Sequence, residues 1–144
     1  MIYNIEIPGI INKPVSEVFE AIVEPGKLNC YFTSRSSGII ESGKTVIWEF
    51  KDQNVILDID IIETEQDIHI SFRWRATGND TYVSINLESD EENNTKIVIT
   101  EKEFSSEEND IKTAMQQTIG WTDFICSLKA YLYTGINLRD GNFG

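Results

Sequence analysis

The chain has 144 residues, of which 40% are hydrophobic and 10% are aromatic. This composition can build one core and excludes a disordered chain. Twelve basic and 24 acidic residues give a net charge of −12, which disfavours binding to nucleic acids and to anionic membranes. We therefore expect one domain over residues 1–144, whose acidic surface serves either solubility or a basic partner.

The sequence carries few signals that bear on the cellular location of the protein or on the redox state of its cysteines. No apolar run reaches about 18 residues, so no membrane span is predicted. The first residues lack a basic stretch followed by an apolar one, and we expect no secretory signal and a cytoplasmic location. Cys30 and Cys126 are too few for a disulfide framework, and we expect both to be reduced and buried as small hydrophobic residues.

The first 32 residues predict one strand and two short helices. Residues 3–11 alternate weakly between apolar and polar types, which indicates a strand. Asn12 can cap the helix that follows, and Pro14 suits the first turn of that helix. Its predicted apolar face comprises Val15, Val18, Phe19 and Ile22. Residues 27–32 predict a second short helix or turn, with Leu28, Tyr31 and Phe32 pointing inward.

From residue 36 onward the apolar period is two, which is typical of half-buried strands. Six strands joined by short polar turns are predicted, the first of them at residues 38–40. Together they form an antiparallel meander with one buried face. The inward series of the later strands are Val46, Trp48 and Phe50; Val55, Leu57, Ile59 and Ile61; Ile68, Ile70, Phe72 and Trp74; Val83, Ile85 and Leu87; and Ile97 and Ile99.

The last predicted element is a long helix from Ser106 to Gly135. Ser106 can cap its first turn, with Asn109 or Asp110 as alternatives, and Gly135 is the expected left-handed stop. Its apolar residues recur every three to four positions. This stripe comprises Ile111, Met115, Thr118 or Ile119, Thr122, Ile125 or Cys126, Lys129 and Leu132.

The order β-α-α-β6-α predicts an α+β fold in which the sheet curves around the C-terminal helix. Only that helix is long enough to cover the apolar face of the sheet, and a twisted sheet of about seven strands must bend to reach it. A wedge then remains between sheet and helix, which either side chains or a ligand can fill. The residues expected to line it are Tyr31, Phe32, Trp48, Phe50, Ile59, Glu63, Phe72, Trp74, Ile85, Ile99, Glu101, Met115, Ile119 and Thr122.

Signals for catalysis or for a metal are weak. His69 is the one histidine and is expected to face outward, so no Ser/His/Asp triad can form. No spacing of Cys or His residues predicts a metal site, and no glycine-rich loop predicts nucleotide binding. No catalytic residue, cofactor or metal is therefore predicted.

Two carboxylates remain open in their interpretation. Glu63 and Glu101 each follow an inward-facing series, so each lies either at an exposed strand end or inside the wedge. A carboxylate buried beside aromatic rings would be a candidate site residue. Asp58 and Asp60 fall on the opposite strand face and are expected to be solvated.

The remaining candidates are three arginines and the Gly120-Trp121 pair. Arg35 should lie near one mouth of the wedge, where it could contact a phosphate or carboxylate. Arg73 and Arg75 should pair with acidic neighbours. A glycine in mid-helix costs about 1 kcal/mol against alanine, so Gly120 suggests close approach of another backbone, and Trp121 is expected to be a packing anchor rather than a ligand platform.

Several segments together resemble a known family. They are residues 11–32 (INKPVSEVFEAIVEPGKLNCYF), residues 68–74 (IHISFRW), residues 93–104 (NNTKIVITEKEF) and, most specifically, residues 120–135 (GWTDFICSLKAYLYTG). In this pattern and in element order the chain resembles the START-like, birch-pollen-allergen-like (SRPBCC) superfamily, and within it the heat-shock-protein-90 ATPase activator-like family. The resemblance implies a helix-grip fold. The chain departs from many members at Tyr31, where they have tryptophan, and at residues 101–103, where they have a histidine-glycine pair.

The wedge and the resemblance together predict a non-catalytic domain that binds a small hydrophobic or amphipathic ligand. The resemblance also implies an alternative, a co-chaperone that contacts a chaperone and is linked to the stress response. A third alternative is an enzyme of the cyclase or hydrolase type known in the superfamily. Nothing in the sequence indicates the oligomeric state.

Overall fold

A computed structural model describes the backbone of residues 2–105 and 108–139, and the side chains of residues 4–102 and 111–139. Its elements follow the predicted order. They are β1 (Ile2–Ile11), α1 (Val15–Val23), α2 (Pro25–Leu28), β2 (Arg35–Ser36), β3 (Thr45–Phe50), a 3₁₀ turn (Lys51–Gln53), β4 (Val55–Glu65), β5 (His69–Trp74), β6 (Thr81–Ser89), β7 (Thr95–Ser105) and α3 (Glu108–Thr134).

The seven strands form one antiparallel sheet in the order β1-β7-β6-β5-β4-β3-β2. Consecutive strands from β2 to β7 are neighbours, as expected of a meander, and β1 closes the far edge by pairing with β7. The long helix α3 packs on the concave face, mainly against β1 and β7. The predicted α+β helix-grip architecture is confirmed.

Near the N-terminus the structure corrects two local predictions. Asn12 does not cap α1, which begins after Pro14 without a side-chain cap; instead the Asn12 backbone N–H donates to Tyr133 Oη at 2.7 Å. Residues 38–40 form no strand, because the Ile40 backbone N–H donates to the carbonyl of Val23 at the end of α1. The first strand of the meander lies earlier, at β2.

A β-bulge in β4 decides the position of Glu63. The register against β5 shifts between Ile61 and Glu63. A bulge inserts one extra residue, so the inward and outward faces exchange beyond it. Ile61 is therefore buried, whereas Ile62 and Glu63 are exposed. The prediction that Glu63 lines the wedge is wrong, and its alternative as an exposed residue holds. Ile68 is also exposed, because it lies in the turn before β5.

Helix α3 is one continuous rod of 27 residues, about 40 Å long at ~1.5 Å per residue. Gly135 ends it with a φ of 75°, as predicted. The predicted caps lie outside the residues whose side chains are described. The buried face consists of Trp121, Phe124, Ile125 and Leu128, with Leu132 packed beside it.

The predicted apolar stripe has the wrong phase in the first half of α3. Ile111, Met115 and Ile119 are 42%, 64% and 70% exposed, and Thr122 is exposed as well. Gln117, not Ile119, lies on the side that faces the sheet; residues two positions apart on a helix project in nearly opposite directions. Cys126 continues the outer face, and both it and Cys30 are exposed, so the expected burial of the cysteines is wrong.

Candidate functional site

The wedge between sheet and helix is largely filled by aromatic rings. Phe32 lies at its centre, with ring centroids 5.5 Å from Trp48, 5.2 Å from Phe50 and 4.8 Å from Phe124, all edge to face. Trp74 and Trp121 stack at a tilt with centroids 5.4 Å apart. Such geometry is favourable for aromatic pairs, and it leaves the interior of the wedge occupied by the protein's own side chains.

At one end of the wedge an open cleft of about 280 Å³ remains between α3 and strands β3, β4 and β5. Its floor is apolar and aromatic, and its rim carries amides and one guanidinium. The lining residues are Phe32, Phe50, Gln53, Val55, Leu57, Trp74, Ala76, Gln116, Gln117, Gly120, Trp121 and Arg139. Val55 and Leu57 are only half-buried because they face this cleft.

Only some of the residues predicted to line the wedge lie at the cleft. Phe32, Phe50 and Trp74 do. A second group is buried in the surrounding core and comprises Tyr31, Trp48, Ile59, Phe72, Ile85 and Ile99. Met115, Ile119 and Thr122 lie on the outer side of α3 and Glu63 on the outer side of the sheet, all exposed.

Gly120 and Trp121 differ from expectation. A Cβ at Gly120 would meet no atom within 4 Å, so the predicted close backbone approach is wrong, and the glycine instead widens the cleft. The close approach occurs at Gly9 in β1, where a Cβ would lie 3.1 Å from Ile125 Cγ2. Trp121 is buried as a packing anchor, as predicted, and it also forms part of the cleft wall.

Arg139 is a cleft residue that the sequence did not reveal. It follows α3, and its guanidinium lies over the rings of Phe32 and Phe50, with distances to the centroids of 5.5 and 6.0 Å. Its Nη1 donates to the carbonyl oxygen of Phe32 at 2.5 Å. Arg35, the arginine expected at the mouth, lies in β2 and is exposed away from the cleft. No periodicity marks the residues after a helix, so no sequence signal indicated Arg139.

Behind the cleft lies the buried carboxylate of Glu101, whose side chain is fully enclosed. Trp74 Nε1 and Thr81 Oγ1 donate to its Oε2 at 3.0 and 2.6 Å. Gln117 Nε2 and Trp121 Nε1 donate to its Oε1 at 3.0 and 2.9 Å. Each oxygen therefore accepts two hydrogen bonds, which matches the full acceptor capacity of a carboxylate. Of the two interpretations left open for Glu101, the buried one is correct.

The four donors of Glu101 differ in their access to the cleft. Trp74, Thr81 and Trp121 are 6%, 1% and 3% exposed. Gln117 is half-buried and lines the cleft. The Gln117 amide is thus the most accessible of the four donors. The third tryptophan, Trp48, has no hydrogen-bond partner for its Nε1 within the described part of the chain.

Tyr31 anchors α2 to the core away from the cleft. Its ring is buried and lies 5.7 Å from Phe124 and 5.5 Å from Tyr131, measured between centroids. Its Oη donates to the carbonyl of Ala21 at 2.9 Å. Burial raises the pKa of the Tyr31 phenol well above its ordinary value, because the phenolate would lose its hydration.

The remaining polar candidates decorate the outer face and the turns. His69 is half-buried there; its Nδ1 lies 2.7 Å from Asn86 Oδ1, and its Nε2 lies 3.8 Å from Glu63. Asp58 and Asp60 are exposed, as predicted. Arg73 pairs with Asp80 at 3.3 Å, whereas Arg75 donates to the carbonyl of Gly78 rather than to a carboxylate.

Neither a cluster of metal ligands nor a membrane-spanning helix is found within the described residues. Among residues 2–105 and 108–139, no three His, Cys, Asp or Glu side chains come together as metal ligands would. Within the same ranges no helix has the length and hydropathy that a membrane span requires.

The sheet, the long helix and the aromatic wedge define a helix-grip domain of the SRPBCC class. The family model described as "Activator of Hsp90 ATPase homolog 1-like protein" matches residues 12–133, and the chain belongs to this family. The recognition made from the sequence is confirmed. No curated protein is similar enough to the chain to count as a match.

Solved structures support the same assignment. The chain is 31% identical to protein SSP2350 from Staphylococcus saprophyticus, covering 95% of this chain and 96% of that one with a TM-score of 0.83. The Aha1 dimer from Colwellia psychrerythraea is 20% identical, with coverage of 92% and 98% and a TM-score of 0.79. CalU16 from Micromonospora echinospora is 20% identical, with coverage of 92% and 77% and a TM-score of 0.73. The last two show the fold alone.

Proposed function

We propose that the chain binds a small amphipathic ligand in the cleft without transforming it. The observation that carries this proposal is the combination of an aromatic floor with a polar rim in one concave site. Concave sites with apolar walls and a few oriented polar groups are the usual form of small-molecule sites. Phe32, Phe50 and Trp121 would contact the apolar body, and the rim at Gln117 would meet its polar end.

Binding without chemistry is favoured over catalysis by the state of the two carboxylates singled out from the sequence. Glu63 is exposed on the far side of the sheet. Both oxygens of Glu101 are engaged by donors from the protein. Neither offers a free base or nucleophile to a ligand in the cleft.

Neighbouring positions of β4 give a matched test. Leu57 faces the cleft, and Ile56 lies on the opposite face of the strand and is 67% exposed. Leu57→Trp should fill the cleft and abolish the fluorescence enhancement of the probe 8-anilinonaphthalene-1-sulfonate, whereas Ile56→Trp should preserve it. Equal probe binding by Leu57→Trp, Ile56→Trp and the original chain would reject the cleft as the binding site.

A second candidate function is a protein-interaction role like that of an activator of a chaperone ATPase. Its supporting observations are the family membership and the exposed apolar stripe of Ile111, Met115 and Ile119 on α3. Apolar surface of this kind commonly marks interaction sites. If this stripe binds an Hsp90-type chaperone, the double variant Met115→Glu/Ile119→Glu should lose stimulation of the chaperone's ATPase, and Lys112→Ala should retain it. Absence of stimulation by the original chain at high excess would exclude this role.

A further inference from the structure

Among the described residues, no cationic side chain forms an ion pair with Glu101. Its side chain is fully buried on β7, beside the edge strand of the sheet, and Glu101 lies opposite Val83 on β6 and Ile5 on β1. All four of its donors are neutral groups, and no Lys, Arg or His of the described residues forms an ion pair with it. Buried charges are costly and are ordinarily paired with an opposite charge. The hydrogen bonds satisfy the carboxylate oxygens, but none of these four donors is a cation.

Gln117 is the point at which a ligand can reach this carboxylate. Its amide donates to Oε1 from the cleft side, and its side chain is held less firmly by burial than those of the other donors. A donor on a bound ligand can replace the amide at the same oxygen if the Gln117 side chain rotates outward. A positively charged donor would form the stronger, charge-assisted hydrogen bond.

The two ends of the cleft differ in the charge that they carry. Trp74 and Trp121 form the wall at the Glu101 end, and both direct their Nε1–H groups toward the carboxylate. At the other end, the Arg139 guanidinium already lies over the faces of Phe32 and Phe50. The protein thus places its own cation against one pair of rings, and within the described residues the Trp74–Trp121 end holds none.

We propose that the ligand of this cleft is a small primary amine with a compact apolar body, whose ammonium group takes the place of the Gln117 amide at Glu101 Oε1. This inference rests on the proposed function, because it specifies the chemical class of the ligand that the cleft binds. The ammonium pairs with the buried carboxylate, and the apolar body lies on the aromatic floor.

Three probes of similar shape test the charge requirement: 2-phenylethylamine, 2-phenylethanol and 3-phenylpropionate. Isothermal titration calorimetry should give a dissociation constant for the amine about tenfold lower than for the alcohol, and weaker binding still for the carboxylate. Equal or tighter binding of the alcohol or the carboxylate would overturn the amine assignment and leave the cleft as a binding site. Failure of all three probes, together with failure of the anilinonaphthalene probe, would reject the cleft altogether.

Adjacent glutamines provide the matched variants. Gln117→Ala removes the amide that the amine must displace, and it should tighten amine binding severalfold. Gln116→Ala, which lines the same cleft without contacting Glu101, should leave it unchanged. Equal effects of the two variants would overturn the displacement mechanism.

Glu101→Gln separates the buried carboxylate from the acidic surface. The variant keeps an acceptor oxygen but removes the charge, so amine binding should fall about tenfold while alcohol binding is retained. Circular dichroism at the same temperature establishes that the variant is folded, and alcohol binding establishes that its cleft is intact. Unchanged amine binding in a folded Glu101→Gln variant would mean that the net charge of −12 attracts the amine elsewhere, and would overturn the proposal.

Discussion

Both halves of α3 carry apolar side chains, but the two halves differ in what those side chains contact. In residues 121–132 the apolar side chains of Trp121, Phe124 and Leu128 pack into the core. In residues 111–120 the apolar side chains of Ile111, Met115 and Ile119 face away from the sheet. Apolar periodicity thus locates a face of a helix but does not determine whether that face meets the sheet.

The difference follows from what the sheet offers at each position. Beneath the second half, Gly9 on β1 lets Ile125 approach to within van der Waals distance. Beneath the first half, the sheet carries the carboxylate of Glu101, to which Gln117 of the helix donates a hydrogen bond. In the first half, therefore, Gln117 contacts the sheet by a hydrogen bond, whereas the second half combines one hydrogen bond from Trp121 with extensive packing.

The largest expected effect is a difference in the free energy of unfolding between substitutions in the two halves of α3. Leu128→Ala removes a fully buried side chain and should lower the free energy of unfolding by about 2–5 kcal/mol. Met115→Ala removes a side chain that is 64% exposed and should change it by less than about 0.5 kcal/mol. Urea unfolding followed by circular dichroism measures both. Comparable losses in the two variants would remove the distinction between the halves.

Glu101 joins the two halves to the sheet through Gln117 and Trp121. Glu101→Ala leaves the buried donors of Trp74, Thr81 and Trp121 without an acceptor. It should cost about 3 kcal/mol, taking about 1 kcal/mol for each of these donors, since cleft water can hydrogen-bond to Gln117. Glu101→Gln keeps one acceptor and should cost less. The same urea experiment ranks the two variants. A loss for Glu101→Ala no larger than that for Glu101→Gln would contradict the hydrogen-bonding role.

Substitutions of two glycines should change the stability by intermediate amounts and in opposite directions. Gly9→Ala places a methyl group 3.1 Å from Ile125 Cγ2 and should destabilise by about 1–3 kcal/mol through overpacking. Gly120→Ala meets open space and should stabilise α3 by about 1 kcal/mol, the difference in helix propensity. Thermal unfolding midpoints should move in opposite directions. Movement in the same direction would place the close helix–sheet contact elsewhere.

The smallest effect is expected at Tyr31, which follows α2 and packs against Phe124 in the second half of α3. Tyr31→Phe removes the hydrogen bond to the Ala21 carbonyl and should cost about 1 kcal/mol at neutral pH. Because burial raises the pKa of folded Tyr31, its neutral form is favoured on folding. The stability that this provides is complete below about pH 10 and is lost as the pH rises beyond it. Unfolding midpoints between pH 8 and 11 should fall less steeply for Tyr31→Phe than for the original chain.

Much of the fold could be predicted from the sequence, because the period-two runs and their turn residues have local causes. The turns at Asn54, Gly78 and Asn93 have the positive φ angles that such residues favour. The phase of α3 and the bulge at Glu63 could not, since both depend on contacts between distant elements. Of the site, the aromatic floor at Phe32, Phe50 and Trp74 was within reach. Gln117 and Arg139 were not, because a lone polar residue gives no periodic signal.

The pairing of β1 with β7 has a consequence for how the chain matures during synthesis. Strand β1 is made well before β7, to which it is hydrogen-bonded, and the Asn12 backbone N–H donates to Tyr133 Oη near the end of α3. Such distant partners make folding slow. While translation continues, β1 lacks its partner β7, and the apolar face of the meander lacks helix α3. That face is then exposed and can aggregate or bind chaperones. The ribosome must release the chain through the end of α3 before all of these contacts can form.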